Sequence, residues 1–254
     1  MSDHAEAASR DPAGTRGVVP RQARALATRG AILAAAAEEF AGSSYHEASL
    51  SRILERSKVT KGALYFHFVS KESIALAVVD EMDLLCRDLV DRSNALGLDA
   101  LRTAARVTRE VQDALGGSVM RAGQRLSTEG FAGPHRPGWP FRYWEEVFRD
   151  LFARAADEGI LRPGVDPASF SRMAVDTGAG AFVVSLGVSH LADLGRRVCE
   201  NWELLLGCAA VPEWLEGFRA EGGMAAVLGP HLLDDRRDGH RDGHRDGRGW
   251  VADV

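Results

Sequence analysis

The sequence predicts an all-α fold made of a small basic N-terminal head and a larger acidic helical body. Apolar side chains recur every three to four residues along most of the chain, and no segment shows sustained strict alternation, so helices are expected and a sheet is not. Residues 21–71 carry eight basic and four acidic side chains, a net charge of +4, so the rest of the chain carries −9. This asymmetry indicates that the head contacts an anionic partner, although the whole chain is acidic.

Composition excludes several classes of protein. The 254 residues are 45% hydrophobic and 26% charged, which rules out a wholly disordered or collagen-like chain. No apolar run reaches the roughly 18 residues that span a bilayer, and the polar residues 1–20 do not have the pattern of a signal peptide. Cys86, Cys199 and Cys208 are too scattered for a disulfide framework or a zinc site. We therefore expect a cytoplasmic protein with reduced cysteines and no membrane partner.

Composition also divides the chain into four segments. Residues 1–20 are rich in small and polar residues and are expected to form a disordered arm. Residues 21–70 form the basic head, and residues 71–220 form the helical body. Residues 221–254 are expected to be a disordered low-complexity tail, which contains an Arg-Asp-Gly repeat over 237–248. The two histidines of that repeat do not fix a coordination geometry, so no metal site is predicted.

Three helices are expected in the head. Apolar residues at three- and four-residue spacing predict a first helix from Arg21, which Gly42 ends. Ser49 is a good N-cap for a short second helix. After a tight turn, Thr60 caps a third helix over 61–68. Two short helices joined by a turn of about three to four residues form a helix-turn-helix unit, which predicts DNA binding.

Further amphipathic helices are expected in the body. Ser70 caps a long helix over 71–93, and a loop rich in proline and glycine covers 129–140. Pro167 lies just inside the start of a later helix, where a first-turn proline is favourable. The other helices are predicted over 99–115, 118–128, 141–158, 167–194 and 196–206, with a short turn at 212–218.

Motifs that would indicate an enzyme are absent from the sequence. There is no G-x-S-x-G elbow, P-loop, H-E-x-x-H or C-x-x-C run. The paired acids Glu38-Glu39 and Glu145-Glu146 occupy adjacent helix positions, which face different directions and do not converge on a substrate. We therefore predict a protein without catalytic activity or cofactor, while a site assembled from distant residues stays open.

The start of the third helix is suited to the major groove of DNA. A recognition helix needs a narrow N-terminus whose first residues donate hydrogen bonds, and residues 60–63 meet both demands. Alternatively, the aromatic residues of this helix serve only the core and the surface; Leu64 and Phe68, four residues apart, are expected in the core, and Phe66 is open. The candidate DNA contacts are Thr28, Ser49, Thr60, Lys61, Gly62, Ala63, Tyr65, His67 and Lys71.

Residues 25–71 resemble the DNA-binding head of the TetR family of bacterial one-component repressors. The resemblance rests on the run Val59-Thr60-Lys61-Gly62-Ala63-Leu64-Tyr65-Phe66-His67-Phe68, followed by Ser70-Lys71-Glu72. It implies a three-helix head and a helical body that binds a small-molecule effector and forms a homodimer. It also implies that Thr60 to His67 contact a palindromic double-stranded operator, that ligand binding releases the operator, and hence that the protein is nucleoid-associated.

Within that family the body resembles the γ-butyrolactone receptors of actinomycetes. The matching segments are residues 119–126, the proline-rich loop and residues 140–144. The resemblance implies that Trp144 stacks on a lactone, and that a glutamine of the fourth helix and a threonine of the eighth donate hydrogen bonds. The glutamine position falls at Met82 and the threonine position falls near Ala179. The effector therefore stays open between a γ-butyrolactone, a furan or butenolide signal, and an antibiotic.

A pocket for a small amphiphile is expected to be mostly apolar with a few polar anchors. Trp144 lies on an apolar helix face and is either a ligand contact or a core residue, and Trp139 either caps the pocket or packs on the surface. Thr177 is the hydroxyl nearest the threonine position, but two residues along a helix correspond to about 200° of rotation. The ligand-binding candidates are Trp144, Met82, Leu85, Gln124, Phe148, Thr177 and Phe182.

Dimerisation is predicted through the helices over 167–206. They are rich in small and apolar residues such as Gly180 and Val184, a stripe that would also suit an intramolecular core. Two recognition helices related by a two-fold axis span roughly 34 Å, one turn of DNA.

Three functions compete at this point. The leading one is a repressor released from its operator by a γ-butyrolactone-type signal. The second is a pseudo-receptor of the same fold that senses an antibiotic or a furan or butenolide signal, which the Met82 departure favours. The third is a helical enzyme or ligand carrier that keeps the DNA-binding head as a relic.

Overall fold

A computed structural model describes residues 21–131 and 138–234, and the predicted all-α fold is confirmed. Within these ranges the β-type pairing consists of one isolated bridge between Leu161 and Ala210. The predicted arm over 1–20 and the Arg-Asp-Gly repeat lie outside the described residues. The helices are α1 (Arg21–Gly42), α2 (Leu50–Ser57), α3 (Lys61–His67), α4 (Lys71–Asn94), α5 (Ala100–Ala114), α6 (Ser118–Thr128), α7 (Phe141–Asp157), α8 (Pro167–Ser189), α9 (Leu194–Ala209), α10 (Pro212–Ala220), α11 (Gly223–Leu228) and α12 (Pro230–Leu233).

The head consists of α1, α2 and α3, and its helix starts are those predicted. The Ser49 hydroxyl accepts a hydrogen bond from the Ser51 amide at 3.2 Å, and the Thr60 hydroxyl accepts one from the Ala63 amide at 3.2 Å. Each cap satisfies an amide that the first helical turn would leave unpaired. Lys58 has a φ of 55°, in the left-handed region, and this residue ends α2 and turns the chain towards α3.

The helix α4 leads from the head into the body. Ser70 and Ser73 form a reciprocal capping box at its start. The helix α6 packs against both α1 and α4. A Cβ at Gly123 of α6 would lie 2.6 Å from the sulfur of Met82, so glycine is required where α6 and α4 approach each other. The body therefore contacts the head directly through α6.

The chain turns between α8 and α9 earlier than predicted. The helix expected over 167–194 ends at Ser189, because His190 has a left-handed φ of 52°. The side chain of Asp193 accepts hydrogen bonds from the hydroxyls of Ser185 and Ser189, each at 2.5 Å, and from Arg197 Nε at 2.6 Å. The two serine hydrogen bonds, assisted by Arg197, lower the pKa of Asp193 to about 2. The corner is thus held by a buried carboxylate.

The predicted start of the tail at residue 221 is wrong. The chain continues as α11 and α12, and Met224, Leu228 and Leu232 are buried in the core. These apolar residues are spaced by four, but Gly222 and the glycines near it gave the segment the composition of a tail. The predicted turn at 212–218 is the longer helix α10.

Taken singly, the helices of the described residues differ from a membrane span in length or hydropathy. No single helix in 21–131 or 138–234 is long and apolar enough to cross a bilayer. The pair α3 and α4, bent by 61° at the break between them, meets the criterion when both helices are taken together.

Candidate functional site

The N-terminal end of α3 is an exposed surface of small, cationic and aromatic side chains. Lys61 and Gly62 are exposed, and a Cβ at Gly62 would meet no atom within 4 Å, so another molecule has room to approach the backbone. Lys61 Nζ lies 6.0 Å from the centre of the Tyr65 ring. Partly exposed His67 ends the helix. Lys61, Gly62 and Tyr65 therefore place a cation, free space and an aromatic hydroxyl near one another in the N-terminal part of α3.

The aromatic residues of α3 divide between the core and the surface. Leu64 and Phe68 are buried, as predicted. Phe66, which the sequence left open, is 79% exposed and packs only edge-on against the His67 ring, at 5.1 Å between centres. An exposed phenylalanine beside Tyr65 adds apolar area to the same surface.

Thr28 and Ser49, two of the candidate DNA contacts in the head, form hydrogen bonds within the head. Thr28 donates to the Arg24 carbonyl of its own helix at 2.9 Å. The amide of Ser49 donates to the Glu39 carboxylate at 2.9 Å, and Arg52 Nε donates to the same carboxylate at 2.6 Å. Burial alone would raise the pKa of Glu39, but the hydrogen bonds from Arg52 and Ser49 bring it below its usual value. This ion pair joins α1 to α2 and was not predicted.

Lys71 is partly exposed, and its ammonium is held by carbonyls of the loop between α1 and α2. Its ammonium donates to the carbonyls of Tyr45, His46 and Ala48, at 2.6, 3.4 and 2.9 Å. It also lies 4.4 Å from the centre of the Tyr45 ring. Since an ammonium has three N–H donors, these contacts occupy all of them. The role of Lys71 as a phosphate contact stays a prediction, and it would require the ammonium to exchange at least one of these carbonyl partners for the DNA.

A cavity of about 110 Å³ lies between α5, α6, α7, α8 and α9. Four of the seven predicted ligand-binding residues line it: Gln124, Trp144, Phe148 and Phe182. Its walls are mainly apolar, with polar groups from α5 and α6. Trp139, on the loop, is buried, and its indole donates to Asp83 at 3.1 Å, so it packs outside this cavity.

The other three predicted ligand-binding residues do not line the cavity. Met82 fills the contact between α4 and Gly123 of α6. Leu85, on the same helix, is partly buried against the core. The Thr177 hydroxyl donates to the carbonyls of Met173 and Ala174 within α8, at 2.8 and 3.1 Å. Helix rotation directs Met82 and Thr177 away from the cavity.

Two polar residues of α5 that the sequence analysis missed contribute to the cavity wall. Gln112 is only 7% exposed and lines the cavity. Thr108, one turn earlier, donates to the Ala104 carbonyl at 3.0 Å. Polar residues spaced by four on an otherwise apolar helix face were the available signal. A buried amide facing a cavity is suited to bind a polar group of a ligand.

Comparison with known proteins identifies the family. A family model described as bacterial regulatory proteins, tetR family, matches residues 32–78, and one described as tetracyclin repressor-like, C-terminal domain, matches residues 97–212. The A-factor receptor protein of Streptomyces griseus is 36% identical over 205 residues, which is 80% of this chain and 71% of that protein. The chain belongs to the TetR family. The family resemblance inferred from the α3 sequence is thus confirmed.

Solved structures show the same relationship across head and body. A γ-butyrolactone receptor described as ArpA-like has a TM-score of 0.70 and 30% identity, covering 81% of this chain and 98% of that one. CprB of Streptomyces coelicolor, solved with its operator sequence, has a TM-score of 0.64 and 28% identity, covering 82% and 98%. TylP of Streptomyces fradiae has a TM-score of 0.59 and 33% identity, covering 79% and 96%.

Family membership relates the exposed end of α3 and the cavity to one function. As a TetR-family protein, the chain is a ligand-responsive transcriptional repressor that binds operator DNA as a dimer. The exposed end of α3 lies in the region matched by the regulatory head, and the cavity lies mainly in the region matched by the C-terminal domain.

Proposed function

We propose that this TetR-family repressor binds a palindromic operator through α3 of each protomer and is released by a small amphiphile of the γ-butyrolactone type. The observation that carries the proposal is the apolar cavity that Trp144 and the buried Gln112 amide line together. An aromatic ring and a few polar groups in an apolar cavity suit a small ring with a hydrogen-bonding carbonyl and an alkyl chain.

The operator contacts are proposed on the exposed face of α3. Lys61 is placed to reach a phosphate or a base edge, and Gly62 and Ala63 let the backbone approach the DNA. The capped start of α3 directs amide groups and the positive end of the helix dipole outwards. Tyr65 and His67 extend the contact along the helix. Thr28 and Ser49 are proposed as supporting contacts, because both stay partly exposed.

The dimer is proposed to form through α8 and α9. These helices expose large apolar side chains, among them Val188 at 72%, together with Val183, Val184 and Leu204. Such a patch on one chain is expected to be covered by a second copy. Ala181, on the same helix, is buried within the chain, so α8 also contributes to the intramolecular core that the sequence left as the alternative.

The ligand signal is proposed to reach the head through α6. Met120 and Gln124 of α6 line the cavity, and the same helix packs on α1 and α4. At its end, the Glu129 carboxylate accepts a hydrogen bond from the Tyr45 amide in the head at 2.8 Å. A ligand that shifts α6 therefore changes the position of the head. Release requires that the ligand favour the shifted state by a coupling energy of typically about 1–3 kcal/mol.

The remaining predictions fit this proposal. Met82 lies outside the cavity, so its departure from the receptor pattern does not favour another signal over a γ-butyrolactone. We infer a cytoplasmic regulator without enzymatic activity, in which residues 21–70 read DNA and the body binds the ligand. Among the described residues no group of three or more His, Cys, Asp or Glu could hold a metal ion.

A gel-shift titration on the DNA upstream of the gene tests the proposal. We expect tight, salt-sensitive binding that an alkyl γ-butyrolactone abolishes. Trp144→Leu is expected to raise the lactone concentration for half-release about two- to tenfold, since ring stacking contributes about 0.5–1.5 kcal/mol beyond buried area. The control is Tyr143→Leu, a neighbouring aromatic that does not line the cavity. Binding that is indifferent to the lactone in the unaltered protein would contradict the proposed ligand.

A further inference from the structure

The last described segment of the chain, residues 212–234, covers one side of the body. It comprises α10, α11 and α12, and the match to the TetR C-terminal family model ends where it begins, at residue 212. We call residues 212–234 the strap. Its Met224, Leu228 and Leu232 are buried, so the strap is packed on the body and not merely adjacent to it.

The strap is held near the start of α5 by Arg102. The guanidinium donates to both oxygens of the Glu221 carboxylate, at 3.2 and 2.5 Å. It also lies 5.2 Å from the centre of the Trp214 ring. A bidentate ion pair combined with a cation–π contact fixes both the distance and the orientation of the strap at this point.

Two more contacts follow in the same order along α5 and the strap. Arg109 Nη1 donates to the Val227 carbonyl at 3.0 Å. At the end of α5, the Asp113 carboxylate lies 2.7 Å from His231 Nε2. The strap therefore runs in the same direction as α5 and is fixed at three levels along it.

The opposite side of the strap contacts α9. The Leu232 carbonyl oxygen is so close to Gly195 that a Cβ at that position would overlap it. Further along α9, the Glu203 carboxylate accepts a hydrogen bond from the Met224 amide at 2.9 Å. The strap thus joins α5 to α9 across their outer faces.

The turns that the strap holds are also the turns that line the ligand cavity. In three cases a residue that lines the cavity is followed directly by one that contacts the strap, and successive helical residues lie about 100° apart. These pairs are Gln112–Asp113, Leu194–Gly195 and Trp202–Glu203. Movement of the strap must therefore move one wall of the cavity.

We propose that the strap positions the α5–α9 wall for the effector and so sets the ligand sensitivity of the repressor. The inference rests on the proposed function, because it assumes that the effector occupies this cavity. Without the strap, Gln112 and Trp202 no longer hold one arrangement, and the ligand must order them when it binds. The recognition helix lies in the head, so operator affinity without ligand is expected to stay unchanged.

Two glycines of α9 provide a matched test. Gly195→Ala places a methyl group against the Leu232 carbonyl and displaces α12, whereas at Gly207 the nearest atom to a new Cβ would be Arg219 Nη2 at 3.7 Å, an ordinary contact. We expect amides of α5 and of the first half of α9 to exchange hydrogen roughly tenfold faster in Gly195→Ala than in Gly207→Ala. We also expect Gly195→Ala to need roughly tenfold more alkyl γ-butyrolactone for half-release of the operator.

A second pair of variants covers the case in which Gly195→Ala does not fold. Glu221→Gln removes the charge that pairs with Arg102, and Glu216→Gln makes the same change at an exposed position of α10. Faster exchange and weaker lactone response are expected only in Glu221→Gln. Equal rates of hydrogen exchange in the two variants of each pair would overturn the proposal. Faster hydrogen exchange in Gly195→Ala or Glu221→Gln with an unchanged lactone concentration for half-release would overturn it as well. Exchange is measured without lactone, so failure of the unaltered protein to bind operator or respond to lactone would count against the proposed function separately.

Discussion

The recognition surface and the ligand cavity use opposite kinds of residue. On α3 the candidate contacts are exposed or partly exposed, and Phe66 is 79% exposed. Around the cavity, Phe148, Trp202 and Gln112 are buried, and each is also part of the core of the body. DNA contacts can therefore change without loss of stability, whereas changes in the cavity alter ligand binding and stability together.

The largest difference in the free energy of unfolding is expected between the variants Trp202→Ala and Phe66→Ala. Trp202 is 5% exposed and packs 5.6 Å from the Phe148 ring, so its truncation is expected to cost about 3–5 kcal/mol of unfolding free energy. Phe66→Ala removes an exposed ring and is expected to change it by less than about 0.5 kcal/mol. Urea unfolding followed by circular dichroism measures both. Comparable losses of unfolding free energy in the two variants would show that the recognition surface does not differ from the ligand cavity in its contribution to stability.

Two lysines of the head test the same distinction within one domain. Lys71→Ala removes three charge-assisted hydrogen bonds to loop carbonyls and is expected to cost about 1–3 kcal/mol of stability. Lys61→Ala is expected to leave stability unchanged and to reduce the slope of log K against log salt for operator binding by about 1. If Lys71→Ala instead kept full stability and lost the salt dependence, Lys71 would be the phosphate contact that the sequence suggested.

The head was predictable because its structure is set by local interactions. Ser49, Thr60 and Ser70 each accept a hydrogen bond from an amide two or three residues away, so a short stretch of sequence determines where each helix begins. The contacts of Lys71 within the head were not predicted, because its partners lie more than twenty residues earlier, in the loop around Tyr45. Nothing in the local pattern indicates that contact.

The cavity and the strap were harder to predict because they depend on how distant helices face each other. Met82 occupies the position expected for a ligand contact, but the small Gly123 on α6 lets α4 pack so closely that this side chain fills the interface. Gln112 was missed because two polar residues on an apolar helix face do not by themselves reveal that a cavity lies beside them. The strap was missed because Gly222 and its neighbours dominate the local composition, while the residues of α5 that hold it are about 120 positions away.

The smallest effect on lactone response and on stability is expected for substitution of Thr177, whose hydroxyl is nearest the family's threonine position. Its hydroxyl donates to two carbonyls of its own helix, so Thr177→Ala is expected to change the lactone concentration for half-release by less than about twofold and stability by less than about 0.5 kcal/mol. Gln112→Leu, which removes the amide at nearly constant volume, is expected to raise that concentration about two- to tenfold, because a hydrogen bond to the ligand with a net contribution of about 0.5–1.5 kcal/mol is lost. Release measured by gel shift for both variants decides which polar group binds the effector. A larger effect at Thr177 than at Gln112 would mean that α8 rotates on ligand binding and brings the threonine into the cavity.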